Sequence, residues 1–274
     1  MPTEEFIYYR GAFLPSSSCD IREYNTHGVL YEVVRIMEEV PLFLEDHILR
    51  LKQSIALTSD AICTPPDLSF FEETIRELIK RNKRSTGNIK IVLLPHKAEE
   101  ILLCFIPHSY PHERQYANGV STNFLFAERT APQAKVHQQQ LREKADRMIA
   151  QQALYEVLLV DSHHYVTEGS RANLFIVSGT TLYTAPPSMV LGGITRQKVM
   201  EILHGMKQPV KEEAWTYHRI IEEAEALFLT GTSPKILPIA SCGTTHFKVR
   251  HKLVHHIMKQ YDQIITHYIR IRKD

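Results

Sequence analysis

The hydrophobic positions of this chain change period several times, and each change marks an element. EFIYYRGAFLP alternates, turns at Gly11 and alternates again, so it predicts two short strands; VLYEVVRIMEEVPLFL predicts a second hairpin-like pair turning at Glu38 and Glu39. LEDHILRLKQSIALT moves to a helical period, with Ile48, Leu51 and Ile55 on one face and His47 and Arg50 offset from it. DLSFFEETIRELIKRN predicts a second helix with Asp67 as its N-cap. NIKIVLLP and EILLCFIP read as buried-type strands joined by the charged turn HKAEE. The pattern closes a small N-terminal α+β domain over residues 1–115.

SYPHERQYANG is rich in proline and polar turn formers and reads as the link to a larger domain over residues 116–274. There the expected order is the strand STNFLFAE, the helix QQQLREKADRMIAQQA, then the strands YEVLLVD, ANLFIVSG and TLYTAP. A loop with Pro186 and Pro187 leads through Gly192 and Gly193 into the helix TRQKVMEILHGM. The strands EALFLTG and KILPIA and a long amphipathic C-terminal helix finish the chain, with no internal repeat and no low-complexity tract.

Composition narrows the partners. In 274 residues, 32 basic and 31 acidic residues are interspersed, which gives no footprint for nucleic acid or an anionic membrane. No apolar run reaches the roughly 20 residues of a membrane span. MPTEEFIYYRG is acidic where a signal peptide would be basic and then apolar, which points to a cytoplasmic location. Cys19, Cys63, Cys104 and Cys242 are scattered without a C-x-x-C pair, so reduced thiols are expected. His251 and His255 have i, i+4 spacing, but no third ligand accompanies them and no metal is expected.

Four stretches can carry chemistry. In LGGITRQKVMEIL two glycines lead into a helix start, whose free N–H groups and dipole suit an anion, with the Thr195 hydroxyl beside them. A tight turn with Thr195 as a plain N-cap would use the same residues. LFLTGTSPK gathers hydroxyls and amides at Thr230, Gly231, Thr232 and Ser233, as phosphate oxygens require and as an ordinary hairpin also would. VTEGSRANLFIV sets Glu168 at a turn between hydrophobic strands, and TAPQAKVHQQQ sets Lys135 between a proline loop and a helix start. A lysine, a partly desolvated carboxylate and two anion cradles are the parts that pyridoxal phosphate needs: an amine for its aldehyde, an acid for its ring nitrogen, donors for its phosphate. A nucleotide site would also use cradles, but neither G-x-x-x-x-G-K-[ST] nor G-x-G-x-x-G after a strand is present.

The ordered blocks GVLYEVVRI, PLFLEDHILRL, AKV, YEVLLVD, EGSRANLFIV, LGGITRQKV and LFLTGTSPKILPI resemble the class IV (fold type IV) pyridoxal phosphate enzymes, from about residue 6 to about residue 243. That family includes the branched-chain and D-amino acid aminotransferases and aminodeoxychorismate lyase. The resemblance implies a two-domain α+β fold and a homodimer. It further implies Lys135 as the Schiff-base lysine and general base, Glu168 on the pyridine nitrogen and Tyr31 near lysine and substrate. Arg50, Ile194, Thr195, Gly231 and Thr232 fall on its phosphate-binding positions. The implied activity is transamination between an amino acid and a 2-keto acid; the lyase forming 4-aminobenzoate and pyruvate shares the first steps, and a non-catalytic relative that merely binds a phosphorylated ligand is a further alternative. The R-G-x-x-x-R-like stretch of one subgroup is missing, with His96 and Lys97 near that turn, so a D-specific carboxylate trap of that form is not expected.

Overall fold

The computed structural model describes residues 2–18, 24, 28–58, 65–93 and 100–273. HKAEE lies outside these apart from Glu100, as do Cys19 and Cys63. The chain divides into two compact units: Met1–Ser109 with Ala134–Gln139 and Ile265–Asp274, and Tyr110–Gln133 with Gln140–Ile264.

In the first unit, β1 (Phe6–Tyr9) and β2 (Ala12–Pro15) form the first hairpin, and β3 (Leu30–Met37) with β4 (Val40–Pro41) the second. Glu38 and Glu39 make that second turn, both at positive φ. Helices α1 (Leu44–Leu57) and α2 (Leu68–Asn82) follow, α2 with the expected cap, Asp67 accepting from the Phe70 amide at 3.0 Å. The strands β5 (Gly87–Leu93) and β6 (Ile101–Ile106) complete an antiparallel sheet of order β2-β1-β6-β5-β3-β4. Because strand side chains alternate, Leu30, Val34 and Ile36 of β3 share one face; they meet Ile48 and Leu51 of α1 and Phe71, Ile75 and Leu78 of α2 in the core.

In the second unit, SYPHERQYANG contains a short helix, α3 (Glu113–Asn118), where sequence suggested only a link. The reason is local: His112 and Gln115 make a reciprocal capping box. Next come β7 (Val120–Phe126), α4 (Gln139–Gln152) and β8 (Glu156–Val160), with β7 and β8 parallel. The strands β9 (Tyr165–Gly169), β10 (Asn173–Ser178) and β11 (Thr181–Thr184) precede α5 (Ile194–Gly205). After it come β12 (Val210–Glu212), β13 (Trp215–Thr216), α6 (Tyr217–Glu223), β14 (Ala226–Gly231), β15 (Lys235–Cys242) and β16 (Thr245–His246). The mixed sheet runs β12-β11-β10-β14-β15-β7-β8-β9-β13, with β16 on β15. α7 (Lys252–Lys273) begins in this unit and ends in the first. Phe175 and Phe228, opposite each other on β10 and β14 and fully buried, stack at 5.0 Å.

Candidate active site

Three of the site residues expected from sequence lie in the first unit: Tyr31, Arg50 and Lys135. Sequence reading left the stretch around Lys135 free of regular structure; the structure instead pins it to the start of β3. Leu30 pairs with Val136 in an antiparallel bridge; the Tyr31 amide donates to the Lys135 carbonyl (3.2 Å) and the His137 amide to the Val29 carbonyl (3.0 Å). Residues opposite each other in such a register share a face. Tyr31 and Lys135 are such a pair, and the Lys135 Nζ stands 4.8 Å from the Tyr31 ring centroid. Ser54 of α1 fixes the same strip by accepting from the Lys135 amide at 3.1 Å.

His47, Arg50 and Ser54 fall at i, i+3 and i+7 and share a helix face. Offset from the apolar ridge does not mean solvated here: His47 and Arg50 are buried. They are held by Glu32, the one acid on the inward face of β3, fully enclosed. The Arg50 Nε donates to Glu32 Oε1 (2.8 Å) and its Nη2 to Oε2 (2.5 Å), while His47 Nδ1 lies 2.7 Å from Oε2. Burial pushes the Glu32 carboxyl up, but the Arg50 guanidinium, with help from His47, brings it down to about 2. Burial also lowers His47, which keeps that imidazole neutral.

The second unit holds Glu168, Ile194, Thr195, Gly231 and Thr232. Glu168 is not at a turn, as its flanking Gly169 and Ser170 suggested, but within β9, because Gly169 pairs with Leu158 and continues the ladder. Its side chain is buried and meets three donors: Arg129 Nε on Oε1 (2.7 Å), and Asn173 Nδ2 (3.0 Å) and the Leu191 amide (3.3 Å) on Oε2. An ionised carboxylate accepts only, so three donors suit that form. The turn after it is shaped by buried Glu156, which accepts from the Ser170 amide (3.2 Å), the Ser170 hydroxyl (2.7 Å) and the Arg171 amide (3.0 Å).

Leu191 runs through Gly192 and Gly193 into α5, so the backbone that touches Glu168 also delivers the helix start. Its N-cap is Gly193, which brings no side chain to cap the start; Ile194 and Thr195 are buried, and the Thr195 hydroxyl lies 3.3 Å from that of Tyr261 on α7. Gly193 has a packing reason, since a Cβ there would overlap Asn173 Oδ1. Gly231 and Thr232 sit at the tip of the β14–β15 hairpin, half-buried. Beside them Thr230 is buried, its hydroxyl has no hydrogen-bond partner among the described residues, and it faces Asn173 across the strands. These residues fit pyridoxal phosphate: an acid supplied with donors for the ring nitrogen, an uncapped helix start for the phosphate, and a buried hydroxyl left open.

Sequence reading missed Glu32, His47, Ser54, Arg129, Asn173 and Glu156 as site residues. Glu32 carried a signal, a charge among the inward positions Leu30, Val34 and Ile36; Arg129 carried none, because only folding brings its loop to β9. Among the described residues no group of His, Cys, Asp or Glu is placed to hold a metal, and no helix is long and apolar enough to cross a membrane. Cys104 and Cys242 are buried, and burial pushes the Cys242 thiol up to about 11.

Residues 29–242 match the family model described as amino-transferase class IV. The chain is 28% identical over 247 residues to a probable branched-chain-amino-acid aminotransferase of Thermotoga maritima, covering 85% of each chain. It is 26% identical over 261 residues to a D-alanine aminotransferase of Bacillus licheniformis, covering 86% of this chain and 87% of the relative. Its fold matches that of a putative branched-chain amino acid aminotransferase of Thermotoga maritima, with TM-score 0.83, 24% identity and coverage of 95% and 96%. It likewise matches a putative 4-amino-4-deoxychorismate lyase of Legionella pneumophila, with TM-score 0.77, 23% identity and coverage of 86% and 91%.

Proposed function

The chain belongs to the class IV aminotransferase family, and from that premise we propose that it binds pyridoxal phosphate and transfers an amino group from an amino acid to a 2-keto acid. The observation that carries this reading is Glu168: a buried acid with three donors, one of them the backbone that runs on into the open start of α5. Bound there, pyridoxal phosphate would supply an aldehyde to capture the amine and a ring to spread negative charge from the substrate Cα.

The roles of the chain's own groups follow from their chemistry. Lys135 would provide the amine that holds the cofactor and would serve as the base that takes the proton from the substrate Cα. Its backbone is fixed by Tyr31 and Ser54, so its reach is set by side-chain torsions alone. Tyr31 packs against the Lys135 ammonium. Glu168 keeps the ring nitrogen protonated. The amides and hydroxyl of Ile194 and Thr195, with Gly231 and Thr232, would hold the phosphate, and Arg50, aimed by Glu32, would be the cation for it. A homodimer and a cytoplasmic location go with this reading; light scattering of the purified protein tests the first.

The test starts with a visible absorption band on adding pyridoxal phosphate to purified protein, absent in Lys135→Ala. L-leucine, L-valine and D-alanine are then offered with 2-oxoglutarate or pyruvate. Amino transfer supports the proposal. A protein that stays colourless overturns it, as does pyruvate release from 4-amino-4-deoxychorismate without amino transfer, which would make the chain a lyase.

A further inference from the structure

We propose that Arg129 is a positioning residue that acts through Glu168 and sets how strongly this chain engages the ring nitrogen of its cofactor; the inference rests on the pyridoxal phosphate reading above. Arg129 lies on the segment that leaves β7, and its side chain is 12% exposed. Its guanidinium has two grips on one short stretch: Nε on Glu168 Oε1 at 2.7 Å and Nη2 on the Ser170 carbonyl at 3.0 Å. The acid and the turn after it are thus tied to one rigid fork.

Of the three donors named on Glu168, Arg129 is the charged one; Asn173 and the Leu191 amide are neutral. A nearby cation favours the charged form of a buried carboxylate, and removing that cation shifts the balance toward the protonated form. The two states meet a pyridine nitrogen differently. The anion accepts from a protonated nitrogen in a charge-assisted bond, whereas the neutral acid donates to an unprotonated one and leaves the ring without its positive charge. Arg129 therefore selects the state of Glu168 without touching the cofactor itself. The alternative is a purely structural clamp on the turn through Ser170, which would affect every ligand of the site alike.

A ligand pair separates the two. Pyridoxal phosphate and 1-deaza-pyridoxal phosphate, which carries a C–H in place of the ring nitrogen, are titrated into cofactor-free protein, and each Kd is read from quenching of intrinsic fluorescence. The wild type is expected to favour pyridoxal phosphate. Arg129→Gln is expected to reduce the ratio of the two Kd values at least tenfold, mainly by weakening pyridoxal phosphate, as Glu168→Gln does. Arg129→Lys, which keeps the charge but not the fork, is expected to fall between. A ratio in Arg129→Gln equal to that of the wild type overturns the inference, even if both affinities drop together. Should Arg129→Gln not fold, as judged by thermal unfolding, Arg129→Lys decides: a ratio lowered at least threefold supports the inference, an unchanged one overturns it. A wild type that binds both ligands equally also overturns it, while a wild type that binds neither sinks the cofactor reading itself.

Discussion

Glu32 shows how one buried residue links the fold of the first unit to its chemistry. It stands where β3 would otherwise present another aliphatic side chain, and its charge is answered by two donors on one edge of Arg50. Glu32→Gln keeps the shape but leaves Arg50 as a buried cation without its counter-charge. A loss on the order of 3–5 kcal/mol at pH 7 is expected, measured by urea unfolding. The pH dependence has a definite sign. The folded carboxyl lies at about 2, below its ordinary 4.5, so the unfolded chain binds the extra proton between those values. The stability from Glu32 is complete above pH 4.5 and declines as the pH falls toward 2. The gap between wild type and Glu32→Gln is expected to narrow across that window. A gap independent of pH would show that Glu32 does not carry the charge assigned to it.

Among the elements, the passage from Leu191 into α5 couples two functions. Asn173, at the head of β10, donates to both Glu168 and the Leu191 carbonyl, and it leaves no room for a side chain at Gly193. Gly193→Ala must therefore displace Asn173 and break both hydrogen bonds, at about 1–3 kcal/mol, with weaker pyridoxal phosphate binding as the second readout. Gly205, at the other end of the same helix, has nothing within 4 Å of a built Cβ. Gly205→Ala is expected to be neutral or to stabilise by roughly 0.5–1 kcal/mol. Equal effects at the two glycines would refute the packing account of Gly193. In the sheet, the stacked rings of Phe175 and Phe228 have no solvent-exposed surface to relax into. Phe228→Ala is expected to cost about 3–5 kcal/mol, read as a shifted denaturation midpoint.

For the complete chain, a bound cofactor adds to stability by mass action, since the unfolded chain has no assembled site. Pyridoxal phosphate at about a hundredfold excess over Kd corresponds to about 2.7 kcal/mol, visible as a rise in Tm. Glu168→Gln is expected to retain a smaller rise, because the phosphate contacts persist. Lys135→Ala should show a rise without the visible band. No rise in the wild type would contradict the proposed function.

The hairpins of the first unit, the capped α2, the main strands of the second unit and the long α7 were legible in sequence, because each rests on local periodicity and local turn chemistry. Lys135, Glu168, Arg50 and the two stretches rich in glycine and hydroxyls could be singled out as candidates, because their order and spacing along the chain are themselves a pattern. Short strands such as β9 and β13 were not legible, since their pairing depends on neighbours distant in sequence. The order of residues alone specifies which groups can do chemistry. Folding at long range sets what surrounds them: that Arg50 answers Glu32, that Lys135 is paired against Tyr31, and that Arg129 holds Glu168. Arg50 and Glu32 stand 18 positions apart, Arg129 and Glu168 39 positions apart. No local pattern records a contact that only distant pairing and burial create.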